Sequence, residues 1–487
     1  MNVIKQQGGG RMNGATLYEK VANDISRLIK NGTFRPGDKI PSVRGLNRQM
    51  KVSVSTVMEA YRLLEDQGVV ECRPQSGYYV ISSPADARPE IEVSQPASRP
   101  TKVSISEVVM MVLKNNRDSR LVQLGAAVPN PDLLPVDRLN RALCSVTRAY
   151  KIRNISYEFQ PGCEELRVQI AKRALTAGCT VTPDDIVITS GCQEAIVFAL
   201  KAICKPGDTV AIESPTYYNF LQVIEMLGLK ALEIPTHPRD GVNLDTLRYA
   251  IEHNRVSVCL FITNFNNPLG SCMPDNRKKE LVEMLEQYGI PLIEDDIYGD
   301  LAYSYQRPKV AKAFDKSGNV VLCSSFSKTI APGYRVGWVI AGKYKEAIAR
   351  AKSITNLATS TPPQLALAGF LADGGYDHHL RTIRRAYARN VSLISDTVMK
   401  SFPEGTKVSR PQGGHVLWVE LPEYVDSLEL YEKALKARIS FAPGPIFSSR
   451  QKYRNFLRLN AAVWSDAVQD AIKTIGALAR RKAKAQR

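Results

Sequence analysis

Nowhere in the 487 residues does an apolar run reach about 18 positions, so no transmembrane helix is expected. The N-terminus, Met1 to Gly14, is polar and glycine-rich and lacks the apolar core of a secretory signal. Residues 1–13 read as a disordered tail. Cysteine is scattered: nine residues, an odd number, with no Cys-x-x-Cys pair. That pattern argues against a disulfide framework or a zinc site and for reduced thiols in a cytoplasmic protein, with no metal expected. Acidic residues are in deficit, 48 Asp and Glu against 65 Lys and Arg, giving a formal net charge of +17. Such an excess favours a polyanionic partner. Part of it sits in the final run from Arg480 to Arg487, which reads as a solvated helix end. With 44% hydrophobic and 23% charged residues the chain is of soluble, globular composition, and its length implies two or three domains.

Over the first eighty residues Leu17, Val21, Ile25, Leu28 and Ile29 recur at helical spacing. Asn31-Gly32 ends this amphipathic helix and Arg35-Pro-Gly-Asp38 forms a turn. Ser42 and Ser53 are placed to cap a second and a third helix, the third burying Val57, Tyr61 and Leu64 before Gly68 stops it. Val69 to Arg73 and Tyr78 to Ile81 then read as a β-hairpin. This is the plan of a winged helix-turn-helix, expected over residues 14–82.

The segments Arg35-Pro-Gly-Asp-Lys-Ile-Pro-Ser-Val-Arg44, Val52-Ser-Val-Ser-Thr-Val57 and Arg73-Pro-Gln-Ser-Gly77 resemble the GntR family of DNA-binding domains. The resemblance implies that Ser53, Val54, Ser55 and Thr56 enter the major groove. It also implies that Arg44 holds phosphate or a base edge, and that Arg73, Ser76 and Gly77 of the wing reach the minor groove. Helix N-termini and hydroxyls grip phosphate, and arginine reads phosphate or guanine bidentately. Val54 departs from the family, which often has arginine there, so readout at that position is expected to be apolar.

Residues 83–104 are rich in proline, serine and charge without periodicity, and read as a semi-extended linker that lets two domains move. From 105 to 487 short apolar runs alternate with helical stretches. Five runs (186–190, 209–213, 257–263, 291–295 and 319–323) read as strands buried on both faces, hence an α/β domain with a largely parallel sheet. Ligands of such sheets sit beyond the strand C-termini, where the unusual residues collect. Ser190-Gly-Cys-Gln193 opens a helix, as a phosphate cradle would. Ser214-Pro-Thr-Tyr217, Asn264-Phe-Asn-Asn267 and Asp295-Asp-Ile-Tyr298 close three further strands. After the fifth, Ser324-Ser-Phe-Ser-Lys328 sets a lysine on a turn, with Arg335 seven positions on. A Schiff-base lysine beside groups able to hold a phosphate is what pyridoxal 5′-phosphate (PLP) requires.

In this order the segments resemble the fold-type I PLP-dependent aminotransferases of class I/II, over roughly residues 110 to 480. The resemblance implies a large α/β domain with a small C-terminal α+β subdomain. It makes Lys328 the Schiff-base lysine, Asp295 the partner of the pyridine nitrogen, Asn267 and Tyr298 the ligands of the ring 3′-oxygen, and Tyr217 the stacking aromatic. The phosphate falls to Gly191, Cys192, Gln193, Ser325 and Arg335, with Tyr157 reaching the phosphate of a neighbouring subunit. Arg458 becomes the clamp of a substrate α-carboxylate. Cys192 departs from the serine or threonine often found there, which leaves a backbone contact to the phosphate.

A GntR-like domain, a linker and a fold-type I domain in this order resemble the MocR-type regulators. That implies a PLP-dependent, cytoplasmic, homodimeric transcriptional regulator binding operator DNA at paired half-sites, with PLP or an amino compound sensed through Lys328. A second reading is a working aminotransferase of the amino acid/2-oxoglutarate type with an appended DNA-binding domain. A third is a PLP enzyme whose N-terminal domain binds protein.

Overall fold

The computed structural model describes residues 16–485 apart from 36, 67–68, 74–75, 81–89, 97–98, 116–117, 119 and 305. The expected tail, Gly68, the wing tip 74–75 and the first part of the expected linker lie outside the described residues. The chain divides into two compact units, Met1–Ala87 and Arg88–Arg487.

In the first unit helices Leu17–Lys30, Val43–Met50 and Val54–Asp66 precede an antiparallel hairpin of Val70–Arg73 and Gly77–Val80. The two serine caps form as the sequence suggests. Ser42 Oγ accepts from the Gly45 amide at 3.1 Å and Ser53 Oγ from the Thr56 amide at 3.0 Å. Lys51, in the left-handed region at φ 52°, makes the sharp turn between the second and third helices. The first helix buries Val21, Ala22, Ile25 and Ile29, whereas Leu17 and Leu28 are exposed. At 100° per residue those two leucines sit on one edge of the stripe, beyond the reach of the core. Tyr61, fully buried, donates its hydroxyl to the Pro41 carbonyl at 2.6 Å and so ties the third helix to the start of the second.

The second unit is built on a nine-stranded sheet. Its order is Thr101–Lys102, Lys230–His237, Thr209–Ser214, Val256–Phe261, Leu292–Asp295, Val320–Ser325, Gly337–Ile340 and Ile186–Thr189, with Gly241–Val242 paired to Lys230–His237. The five central strands are parallel, while Gly337–Ile340 runs antiparallel to both of its neighbours. All five expected strands form. Gly337–Ile340 and Lys230–His237, not singled out in the sequence, complete the order that brings Ile186–Thr189 to the edge. A four-stranded antiparallel sheet of Lys407–Val408, Val416–Glu420, Phe456–Asn460 and Ala442–Pro443 forms the C-terminal part, with helices Gly375–Ser401 and Asp466–Ala485.

One expectation needs correction. Residues 90–96 and 99–104 are not a free linker. Ile91, Val103 and Ile105 are buried, Glu90 pairs with Arg239, Ser94 Oγ donates to the Ser214 carbonyl at 3.0 Å, and Thr101–Lys102 joins the sheet edge. Buried isoleucine and an edge-strand ladder outweigh the prolines that made this stretch read as extended and solvated. Arg480, expected on a solvated helix end, is exposed near the end of helix Asp466–Ala485 and also donates to the Lys400 and Phe402 carbonyls at the end of helix Gly375–Ser401, where its positive charge suits the helix dipole.

Tyr61→Phe should lower the stability of the first unit by about 1 kcal/mol, because the Pro41 carbonyl loses its donor. Faster amide hydrogen exchange in helix Val54–Asp66 of the full chain is the measurement that checks it.

Candidate functional site

The parallel strands point their C-terminal ends into a cavity of ≈ 180 Å³. Cys192, Gln193, Tyr217, Asn267, Asp295, Tyr298, Ser325, Lys328 and Arg335 all line it. These nine residues, spread over 144 positions of sequence (192 to 335), are among those singled out from the sequence. The sheet order accounts for their convergence, since they end or follow five strands: Ile186–Thr189, Thr209–Ser214, Val256–Phe261, Leu292–Asp295 and Val320–Ser325.

Asp295 is the last residue of a central strand and is buried. Burial raises its carboxyl to about 7, against the opposing effects of the Ile297 amide and the Cys192 thiol, both of which donate to it. A buried carboxyl this hard to ionise lacks a full cationic partner. Lys328 lies across the cavity, its Nζ 5.8 Å from the Tyr298 ring centroid and bonded to the Ala127 carbonyl. Burial, then the positive charge of Arg458, lowers its amine to about 8. A neutral, nucleophilic amine is therefore accessible close to neutral pH.

At the other end Gly191, at φ 96°, caps the helix Cys192–Ile203. A Cβ at Gly191 would run into the Arg335 guanidinium, so glycine is required there for shape as well as for backbone conformation. Arg335, itself left-handed at φ 52°, donates to Ser327 Oγ at 3.2 Å and to the Ser190 carbonyl at 3.2 Å. A helix N-terminus, two serines (325 and 327) and a guanidinium make a site for a dianion. Cys192 does not turn toward this end: its Sγ lies 3.4 Å from Asp295 Oδ1.

Arg458 is fully buried on strand Phe456–Asn460. It donates to Asn267 Oδ1 at 2.9 Å and to the Gly125 carbonyl, and lies 5.2 Å and 5.9 Å from the Phe447 and Tyr218 ring centroids. Its Nε has no partner among the described residues. The guanidinium is thus held near two rings and bonded to Asn267, which lines the cavity, with donor capacity left over.

Sequence reasoning missed the 124–128 loop, Ser327 and His415. The loop is fixed by Leu124, which bonds Ser440 and Asn460 through its backbone, and by Asn460 Nδ2, which donates to the Val128 carbonyl at 3.0 Å. Its signal was slight: a glycine and a proline bracketing small residues. His415 is buried, with Nδ1 2.9 Å from Asn460 Oδ1. Burial, with the nearby Lys328 charge, pulls it down to about 3, so it stays neutral. Tyr157 is not at this cavity. It is 68% exposed beside Ile152, Ile155 and Phe159, all exposed as well.

The residues present fit PLP. An under-compensated buried carboxylate suits a pyridinium, a depressed amine suits an aldehyde, and the glycine-shaped cradle with Arg335 suits a phosphate. In the first unit Arg44, Ser53, Val54, Ser55, Arg73 and Ser76 are exposed, and Thr56 and Gly77 are half-buried. Arg73 pairs with Glu71 and lies 4.3 Å from the Tyr79 ring centroid, so its direction is set. Among the described residues no helix is long and apolar enough to cross a membrane.

Residues 148–475 match the model of the family described as aminotransferase class I and II, and residues 17–80 that of the bacterial regulatory proteins of the gntR family. The chain is 39% identical to an uncharacterized HTH-type transcriptional regulator of Escherichia coli, YjiR, over 95% of its own length and 98% of the relative's. It is 30% identical to aromatic-amino-acid aminotransferase 1 of Thermococcus litoralis, over 75% of this chain and 89% of that one. The kynurenine aminotransferase of Pyrococcus horikoshii, solved with PMP, superposes with a TM-score of 0.72 at 29% identity, covering 78% of this chain and 96% of that one.

Asp295→Asn should stabilise the cofactor-free chain increasingly as pH rises. The Asp295 carboxyl is raised from 3.8 to about 7, so its contribution is complete below 3.8 and lost as pH passes 7. The advantage of the asparagine variant should grow by roughly 2 kcal/mol between about pH 5 and 8.5. Thermal unfolding of both stripped proteins across that range reads it.

Proposed function

The chain belongs to the aminotransferase class I and II family and, with its gntR-family domain, to the MocR-type regulators, and from that premise we propose that it is a PLP-dependent DNA-binding transcriptional regulator. The convergence of Lys328, Asp295 and Arg335 on one cavity, in a chain that opens with a winged helix-turn-helix, carries this reading.

In it, Arg335, Ser325, Ser327 and the Gly191–Gln193 turn hold the cofactor's phosphate. Asp295 balances the ring nitrogen's charge, Asn267 and Tyr298 hold the 3′-oxygen, and Tyr217 covers the ring. Bound there, PLP supplies a carbonyl that captures primary amines and an electron sink. Lys328 Nζ would supply the amine that anchors it and, when not so engaged, a group able to carry a proton. Arg458, buried and with its Nε unpaired among the described residues, takes the α-carboxylate of an incoming amino compound. Binding must favour one arrangement of the protein over another for DNA affinity to change, since a ligand with equal affinity for both shifts nothing.

The protein acts in this reading as a cytoplasmic homodimer on paired operator half-sites. The exposed apolar group of Ile152, Ile155, Tyr157 and Phe159 supports that assembly: Tyr157 stands outside its own chain's cavity, as a residue serving a neighbour's phosphate would. The complete set of Lys328, Asp295 and Arg458 also supports a second reading, retained transamination. The aromatic-amino-acid aminotransferase of Thermococcus litoralis and the kynurenine aminotransferase of Pyrococcus horikoshii make aromatic amino acids the first class to assay.

Lys328→Ala should abolish the visible absorption of the PLP-loaded protein; an unchanged spectrum would remove the cofactor assignment. Arg44→Ala should weaken operator binding about tenfold at physiological salt, the loss of one charge-assisted contact, while leaving that absorption intact. Footprinting of the protein's own upstream region, with and without PLP and amino acids, checks both the DNA reading and the effector. No footprint under any of these conditions would favour an enzyme over a regulator.

A further inference from the structure

We propose that Cys192 is a positioning residue of this site: with the Ile297 amide it secures Asp295 through a single oxygen, Oδ1, and reserves Oδ2 for the ring nitrogen of the cofactor. The inference rests on the PLP reading above and assigns to this thiol a task other than phosphate contact.

Both observed donors to Asp295 fall on the same atom. Cys192 Sγ is 3.4 Å from Oδ1 and the Ile297 amide nitrogen is 2.9 Å from it. Asp295 and Cys192 both line the cavity, and both donors reach Oδ1, which leaves Oδ2 for a ring nitrogen in that cavity. Cys192 is the first residue of a twelve-residue helix and is itself 4% exposed. Its side chain therefore has little freedom to turn elsewhere. Burial, with the Asp295 charge beside it, pushes the Cys192 thiol well above its ordinary range. It remains S–H and can donate but cannot ionise near neutral pH.

A thiol suits this position because it is a weak donor. It orients the carboxylate without drawing down the negative charge that the ring nitrogen needs. The groups facing Asp295 are the Cys192 and Cys323 thiols, Glu213, Asp296, Tyr298 and Lys328. Lys328 is the one cation among these six. It is also the group that gives up its charge to anchor the cofactor, which leaves orientation of Asp295 to its hydrogen-bond donors. At the phosphate end Ser325 and Ser327 provide hydroxyls, so a hydroxyl at position 192 is not needed there.

The test is the dissociation constant of PLP from the full-length protein, read by equilibrium dialysis and by the visible band, for Cys192→Ser, Cys192→Ala and Cys192→Val. Cys192→Ala and Cys192→Val should each weaken retention about tenfold, the loss of one hydrogen bond to a charged group. Cys192→Ser, which keeps a donor, should stay within about threefold of the wild type on the same scale. Packing alone would make valine the rescuing residue and serine a poor one; that order overturns the proposal. In an Asp295→Asn background the substitutions at 192 should have no further effect, and a full effect there would overturn it too. This coupled comparison still decides the matter if a single variant folds poorly. A wild-type protein that takes up no PLP overturns the cofactor reading itself, and this inference with it; a loaded wild type with equal retention in all three variants overturns this inference alone.

Discussion

A buried carboxylate at the end of a central strand organises the large unit. Asp295 ends a strand flanked on both sides by parallel neighbours, so nothing in the sheet itself can balance its charge. Two donors on one oxygen are what the described structure provides, and they do not offset burial, which raises the carboxyl to about 7. A buried acid in that condition is a cost in the empty chain and an asset once a cation arrives. The neighbouring strand ends carry the other parts that such a ligand needs: the amine of Lys328, the aromatic of Tyr217 and the amide of Asn267.

The antiparallel strand Gly337–Ile340 is as important to the geometry as the parallel ones. It carries the chain back from Arg335 alongside Ile186–Thr189, so the guanidinium meets the Gly191 turn from a point 144 positions away. The C-terminal sheet makes the second convergence. Trp418 and Arg458 are directly paired in register, and the Arg458 guanidinium is steered between Phe447 and Tyr218 to Asn267 and Gly125. The 124–128 loop, Asn460 and His415 form the wall behind it, tied together by backbone and side-chain bonds. In this way the small sheet reaches the cavity of the large one through the bond of Arg458 to Asn267, which lines it.

Residues 90–96 and 99–104 belong to the large unit in a physical sense. Ser94 bonds the Ser214 carbonyl at the end of the strand that leads into Tyr217, and Thr101–Lys102 extends the same sheet. The segment that follows the DNA-binding unit in sequence is therefore part of the wall of the large unit. What remains to join the two units is short.

The sequence alone determined a good deal here. Side-chain chemistry at strand ends, glycine at the cradle and serine at the helix caps are local signals, because a turn, a cap or a buried strand is specified by a few adjacent residues. For that reason the winged helix-turn-helix, the five strands and nine cavity residues could be read before any coordinates. Relations across the fold were not legible, since they depend on sheet order and on packing between distant segments. Only the tertiary structure turned Cys192 toward Asp295 rather than the phosphate end. It also set Leu17 and Leu28 at the edge of their stripe and seated residues 90–96 and 99–104 of the proline-rich stretch against the sheet. It brought Ser327, His415 and the 124–128 loop to the site, and left Tyr157 on the surface. In each case a single chemical preference was decided by what another part of the chain, far off in sequence, placed opposite it.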